Sequence, residues 1–249
     1  MIVLKSEREI KQMLEACKIS AEALKVAGEA VAPGVSTWEI DRIARRYIES
    51  KGAKPTFLNY NGFPAAACIS INDEVIHGIP DKAHILKSGD IVSIDLGACI
   101  NGYTGDTAAT FACGEVSAEA KRLMETTEAS LYEGIAKAVP GGRLGDVGSA
   151  VQAYCEERGY SVVRDYTGHG VGASLHEDPA VPNYGTPGRG VRLVPGMTIA
   201  IEPMINEGKA AVKTLSNGWT VKTTDGKLSA HFEHTVAITS GGPLIMTKL

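Results

Sequence analysis

Ile10, Met13, Leu14, Cys17, Ala21 and Leu24 recur at three- and four-residue intervals, the spacing of one face of an α-helix. Ser6 followed by Glu9 supplies a capping box, so a helix is predicted from Ser6 to about Gly28. Pro33-Gly34 interrupts it, and Ser36-Thr37 with Glu39 begins a second helix that runs to about Ser50 and stops at Gly52. The period then changes to two. Val92, Ile94, Leu96 and Ala98 alternate with Ser93, Asp95 and Gly97, which predicts a half-buried strand. Asn101-Gly102 is a strong signal for a two-residue hairpin, because a type I′ turn needs positive φ at both central residues. Further helices are expected over Ser117–Ala138 and Gly145–Arg158. Strands are expected over Ala66–Ile71, Tyr160–Tyr166 and Met197–Ile205. In the last strand Phe232, His234, Val236 and Ile238 alternate with His231, Glu233, Thr235 and Ala237, so Glu233 faces away from the apolar side.

The chain also repeats itself. LKSGDIVSID, from Leu86 to Asp95, has a counterpart in LVPGMTIAIE, from Leu193 to Glu202. The same shift of 107 positions maps Leu24 on Leu131, Pro33 on Pro140, Gly34 on Gly141, Ile40 on Val147, Tyr47 on Tyr154 and Gly52 on Gly159. Two copies imply two structural halves, about 1–112 and 113–249, rather than a solenoid. A carboxylate, Asp95 or Glu202, stands at the same place in each half.

Composition narrows the class. At 249 residues, 44% of them hydrophobic, the chain can bury a sizeable core. A net charge of −4 and no dense Lys/Arg run speak against nucleic-acid binding. No apolar run reaches the roughly 18–20 residues of a membrane span, and the N-terminus has no apolar signal segment. Five cysteines without CxxC spacing suggest reduced thiols, hence the cytoplasm. No low-complexity linker separates the halves, so residues 1–249 are expected to form one catalytic domain.

With the hairpin register set by Asn101-Gly102, Asp106 faces Gly97, and Asp95 lies diagonally across, about 7–8 Å away at the backbone. Carboxylates this close need a shared proton or a cation. Two solvated aspartates on an exposed sheet face are the alternative that the hairpin alone leaves open. His169 lies among glycines expected to turn the backbone sharply, and His176 precedes a loop with Pro179, Pro182 and Pro187. The segment lacks GxGxxG, so it is not read as a phosphate cradle. His77 stands at a turn before Gly78, where a lone histidine is ordinarily a surface residue. Asp95, Asp106, Glu202, Glu233 and His169 form an oxygen-rich set that suits harder divalent ions such as Mn²⁺, Fe²⁺ or Co²⁺. Four negative charges balance two such ions, and paired ions about 3.5–4 Å apart activate water for amide hydrolysis. A free α-amine on one ion would make the enzyme an exopeptidase acting on N-termini.

The motifs SIDLG, NGYTGDTAAT, GHGVG…LHEDP, IAIEPM and SAHFEHTVAIT, with NGFPAAACISINDEVIHGIP upstream, occur in order over nearly the whole chain. In them the sequence resembles methionine aminopeptidase, type I. The resemblance implies the α/β (α+β) pita-bread fold, with two pseudo-two-fold halves, an antiparallel sheet and flanking helices. It implies five metal ligands. Asp106 and Glu233 would bridge two divalent ions (Co, Mn, Fe or Zn), Asp95 would chelate one, and His169 and Glu202 would complete the other. A bridging hydroxide would attack the first peptide bond, with Glu202 taking a proton. His77 would contact substrate and assist proton transfer, and His176 would hydrogen-bond the scissile carbonyl. Tyr60, Phe63, Cys68 and Trp219 match positions lining the methionine pocket, while Leu175 departs from the aromatic residue of some relatives. A Na⁺ or K⁺ held near Asn72 and Ser229 is also implied.

The expected substrates are N-terminal methionine peptides and nascent chains with a small second residue; transient ribosome association is compatible with such substrates, and the sequence does not reveal it. No oligomer interface is evident, so a monomer is the default. Only 30 residues separate Glu202 from Glu233, too few for the type II insertion, and no Cys/His-rich extension precedes Ser6, as in the short bacterial form. The alternatives are an X-Pro aminopeptidase or prolidase-like hydrolase, and, from a different class, a non-catalytic pita-bread peptide-binding module.

Overall fold

The helices begin where the sequence supplies caps. In the computed structural model, which describes residues 1–249, Ser6 and Ser36 accept from the amide N–H groups of Glu9 and Glu39, and each Glu side chain closes its box. The helices are α1 (Glu7–Glu29), α2 (Thr37–Ser50), α3 (Ala118–Lys137) and α4 (Leu144–Glu156). The strands of the first half are β1 (Lys54–Pro55), β2 (Ala67–Ile71), β3 (Glu74–Ile76), β4 (Ile91–Ile100) and β5 (Tyr103–Ala112). Those of the second half are β6 (Ser161–Val162), β7 (Gly168–Gly170), β8 (Glu177–Val181), β9 (Thr198–Ile201), β10 (Met204–Asn206), β11 (Val212–Thr214), β12 (Val221–Thr223), β13 (Ser229–His231), β14 (Glu233–Thr239) and β15 (Gly242–Ile245).

A nine-stranded antiparallel sheet runs β1-β4-β5-β14-β9-β7-β8, with β2 also on β4 and β15 on β14. It takes strands from both halves. Ile94, Leu96 and Ala98 of β4 pack with Ile19, Ala23, Ile40 and Ile48 of α1 and α2. Ile199, Ile201, Val236 and Ile238 pack with Leu131, Ile135, Val147 and Val151 of α3 and α4. Each fully buried Ile or Leu contributes about 1.5–3 kcal/mol relative to exposure. Because alternate residues of a strand face opposite ways, the helix-facing Ile94 and Leu96 leave Asp95 on the other face of the sheet.

The offset of 107 reappears in the hydrogen bonds. The Gly34 N–H donates to the Leu86 carbonyl and the Gly141 N–H to the Leu193 carbonyl, both at 2.8 Å. Thr37 to His84 and Leu144 to Val191 repeat the relation, as do the bridges Ser36–Ile85 and Arg143–Arg192. Each set ties the approach to a helix, α2 or α4, to the approach to a strand, β4 or β9.

Four local expectations are corrected. β4 is buried on both faces rather than half-buried: Ser93 is only 3% exposed and its hydroxyl pairs with Thr110 at 2.8 Å. The strand expected over Tyr160–Tyr166 is β6 alone, because β10 pairs with it only through Val162 and Ser161. The strand expected over Met197–Ile205 is two strands, interrupted at Glu202-Pro203, where proline has no N–H for the ladder. The segment after His176 is strand β8 rather than a loop, and it contains Pro179 at the edge of the sheet.

Candidate metal centre

The hairpin pairs as its turn dictates. Asn101 and Gly102 have φ of 54° and 81°, Asp95 faces Ala108, and Gly97 faces Asp106. Gly97 clears the space beside that carboxylate: a Cβ there would approach Asp106 Oδ1 to 3.4 Å and the Gly105 carbonyl to 2.9 Å. Asp95 also faces Cys68 across the β2–β4 pair. The seam between halves is stitched by threonines. The Thr107 hydroxyl donates to the Glu233 carbonyl at 3.0 Å, and the Thr235 hydroxyl donates to the Asp106 carbonyl at 2.8 Å. These bonds hold Asp106 and Glu233, from different halves, side by side.

His169 lies in β7, flanked by Gly168 and Gly170. A Cβ at Gly168 would strike the Ala200 carbonyl, and one at Gly170 the Asp178 carbonyl. The glycines therefore permit close approach of neighbouring strands, and the sharp turn expected from the sequence is absent. The His169 Nδ1–H donates to the Gly170 carbonyl at 2.9 Å. That leaves the Nε2 lone pair free, 3.5 Å from Asp106 Oδ2 and 3.5 Å from Glu202 Oε1. An imidazole with its second nitrogen so tethered is oriented as a metal ligand. Asp106, His169 and Glu233 each offer a donor atom within 4.8 Å of the others. Asp95 and Glu202 line the same cavity of about 250 Å³.

The electrostatics demand a counter-charge. Burial raises the pKa of Asp95, Glu202 and Glu233 well above the usual carboxylate range, and their mutual repulsion adds to it. Burial does the same to Asp106. No Lys or Arg lines the cavity. Asp95 Oδ1, Asp106 Oδ1 and Glu233 Oε1 are buried without a hydrogen-bond partner. Burial pushes His169 down to about 4, so it is a neutral donor, not a counter-ion. Buried, unpartnered carboxylate oxygens beside a neutral imidazole fit divalent cations.

The outer part of the cavity is aromatic. Phe57, Phe63, Cys68 and Leu175 form a buried cluster with Tyr60 and Trp219 against it. Phe63 and Trp219 meet edge to face at 5.1 Å. The Tyr60 hydroxyl lies 2.8 Å from His176 Nδ1, and the His169 and His176 rings are 4.1 Å apart. Asn59 and Asn61, flanking Tyr60, hold φ of 65° and 49°, and His77 holds 59°. Left-handed backbone at non-glycine residues stores strain, and here it sits on the turns that present Tyr60 and His77. His77 is within the cavity, not on the surface, and Gly78 after it is required because a Cβ would strike the Ile69 carbonyl.

The five candidate ligands, His77, His176 and the candidate pocket residues Tyr60, Phe63, Cys68, Leu175 and Trp219 line this cavity, whereas Asn72 and Ser229 do not. Phe57, Tyr166 and His231 were not anticipated. His231 is 1% exposed, its Nε2 has no partner, and it lies 3.5 Å from Glu202 Oε2. Its only signal was its place two residues before Glu233, on the same side of the alternation. Near Asn72 and Ser229, where a monovalent ion is implied, the Ser229 N–H donates to the Asn72 carbonyl at 2.8 Å.

Residues 11–240 match the metallopeptidase family M24. A methionine aminopeptidase of Clostridium acetobutylicum is 54% identical over 247 residues, covering 99% of both chains. The crystal structure of methionine aminopeptidase from Rickettsia prowazekii superposes with a TM-score of 0.98, at 43% identity and full coverage of both chains. A prolidase from Pyrococcus furiosus has a TM-score of 0.79 at 26% identity, and there 99% of this chain covers only 66% of the other.

Proposed function

The chain belongs to metallopeptidase family M24, and from that premise we infer that it is a metal-dependent aminopeptidase that removes N-terminal methionine. The observation that carries the reading is the convergence of unpartnered Asp95, Asp106 and Glu233 oxygens with His169 Nε2, at the floor of an apolar pocket. A non-catalytic module has no use for five intact ligand positions. The prolidase reading is not favoured, since the relatives matched end to end are methionine aminopeptidases.

Asp95, Asp106, His169, Glu202 and Glu233 would hold two divalent ions, Co, Mn, Fe or Zn, whose combined charge offsets four carboxylates. Ions bound there would lower the pKa of water and polarise the scissile carbonyl. The protein's own residues do the rest. Phe63, Cys68 and Trp219, with Tyr60 at the rim, receive the methionine side chain, whose soft thioether suits aromatic edges and sulfur. The pocket would hold the first peptide bond against the carboxylates. With the Tyr60 hydroxyl donating to His176 Nδ1, the His176 Nε2–H is left to donate to the carbonyl oxygen as negative charge develops. Glu202 takes a proton from the attacking water, and His77 assists its delivery to the leaving amine. The implied substrates are peptides and nascent chains with a small second residue. We also place a Na⁺ or K⁺ near Asn72 and Ser229. We take residues 1–249 as one catalytic domain acting as a monomer, with transient ribosome association. No helix is long and apolar enough to cross a membrane, and the five free cysteines accord with a cytoplasmic setting.

The test is cleavage of Met-Ala-Ser against Ala-Pro-Ser by protein stripped of metal and refilled with Mn²⁺ or Co²⁺. We expect release of methionine only, lost in Asp106→Asn together with at least one equivalent of bound metal. Release of alanine before proline would move the chain to the X-Pro hydrolases.

A further inference from the structure

Met1 and Lys5 reach the segment that carries His176, and we propose that Lys5 is a positioning residue for His176, acting through Glu177. The proposal rests on the aminopeptidase reading above. The Lys5 and Glu177 side chains are only 4% and 14% exposed. Lys5 Nζ donates to Glu177 Oε2 at 2.5 Å and to the Val3 carbonyl at 3.2 Å. The Lys5 N–H donates to the Gly196 carbonyl at 2.7 Å, so the lysine itself is anchored to the second half.

Glu177 has a second task. Its Oε1 accepts from the Ser174 N–H at 3.1 Å. The Ser174 carbonyl in turn accepts from the Gly172 N–H at 3.0 Å, and the Gly172 carbonyl accepts from the Thr104 N–H at 2.8 Å. One carboxylate thus joins both ends of the stretch from Ser174 to Glu177. Between them stand Leu175 and His176, both facing the cavity. The packing is tight enough that a Cβ at Gly172 would overlap Lys5 Nζ, Lys5 Cε and Glu177 Oε1. The amino group of Met1 pairs with Asp178 and holds the same segment one residue further on.

A buried ion pair adds little net stability over a well-packed apolar pair, because both charges lose their hydration. What it does impose is one geometry. Tyr60 restrains only the His176 ring nitrogen, whereas Lys5 and Glu177 restrain the backbone beneath it. A displacement of about 1 Å at a reacting group can cost up to ~10²-fold in rate.

The test is a double-mutant cycle of Lys5→Met and His176→Ala, with kcat and KM for Met-Ala-Ser measured in refilled enzyme. We expect K5M to lower kcat about 10-fold and to change KM less than about 3-fold. In the H176A background K5M should have no further effect. In metal-free protein, the Ser174 amide should exchange faster in K5M, with the β4–β5 hairpin unchanged. Equal slowing in both backgrounds, an unchanged kcat, or unaltered Ser174 exchange would overturn the proposal. If K5M does not fold, Glu177→Gln takes its place, since its amide oxygen still accepts from Ser174. Wild-type enzyme that releases no methionine would instead sink the functional reading. An active wild type with an additive cycle sinks this inference alone.

Discussion

His169 and His176 sit 4.1 Å apart, and the Nδ1 of each meets a different kind of oxygen, a backbone carbonyl for His169 and a phenol for His176. A carbonyl can only accept, so the bond from His169 Nδ1 to Gly170 puts the lone pair on Nε2, towards the carboxylates. A phenol can donate or accept; in the donating sense, on which the proposed role of His176 rests, Tyr60 leaves His176 its proton on Nε2. Tyr60→Phe should therefore weaken catalysis and spare substrate binding. Loss of about 1 kcal/mol of orientation predicts a roughly five-fold lower kcat with KM nearly unchanged. Steady-state kinetics on Met-Ala-Ser would check it, and a rise in KM alone would make Tyr60 a pocket wall only. The residue types at these positions were legible in the sequence. The partner of His176 was not, because Tyr60 and His176 are 116 positions apart and meet only through folding.

At the scale of elements, a strand is only as well placed as its start. The Asp41 carboxylate of α2 accepts from the Ala66 and Ala67 N–H groups at 2.8 and 3.0 Å, where β2 begins. β2 carries Cys68 and pairs with β4 beside Asp95. Asp41→Ala would leave two buried N–H groups unpaired, at a cost of about 1–3 kcal/mol each at most. Asp41→Asn keeps an accepting oxygen at the same place. Thermal or urea unfolding should show a clear loss for Ala, about 2 kcal/mol or more, and less than half of it for Asn. Helix starts and the β4–β5 register were readable because caps and an Asn-Gly turn act locally. The two-sided burial of β4 and the interruption of the β9–β10 path were not. Both depend on which neighbour covers or pairs with the strand, and a period-2 pattern is silent about the second face.

At the scale of the molecule, two halves meet at a seam where buried carboxylates face one another with no Lys or Arg lining the cavity. Filling that seam with divalent metal should stabilise the whole fold, because the unfolded chain has no such site. At a hundredfold excess over Kd the gain is about 2.7 kcal/mol, and for a chain of this size that raises Tm by roughly 5–10 °C. Differential scanning calorimetry before and after chelation, and again after refilling with Mn²⁺, would measure it. A Tm indifferent to metal would mean that the carboxylates are satisfied by protons alone. The 107-residue offset, the helix caps, the hairpin and the donor types of the site are properties of the sequence by itself, since each depends on residues near one another or on repetition along the chain. The tertiary structure alone decided the Lys5–Glu177 pair, the threonine stitching of Asp106 to Glu233, the burial of His231 beside Glu202, and the glycines that let β7 pack closely. Those rest on distances between segments far apart in the chain, set by how two curved halves pack rather than by any local pattern.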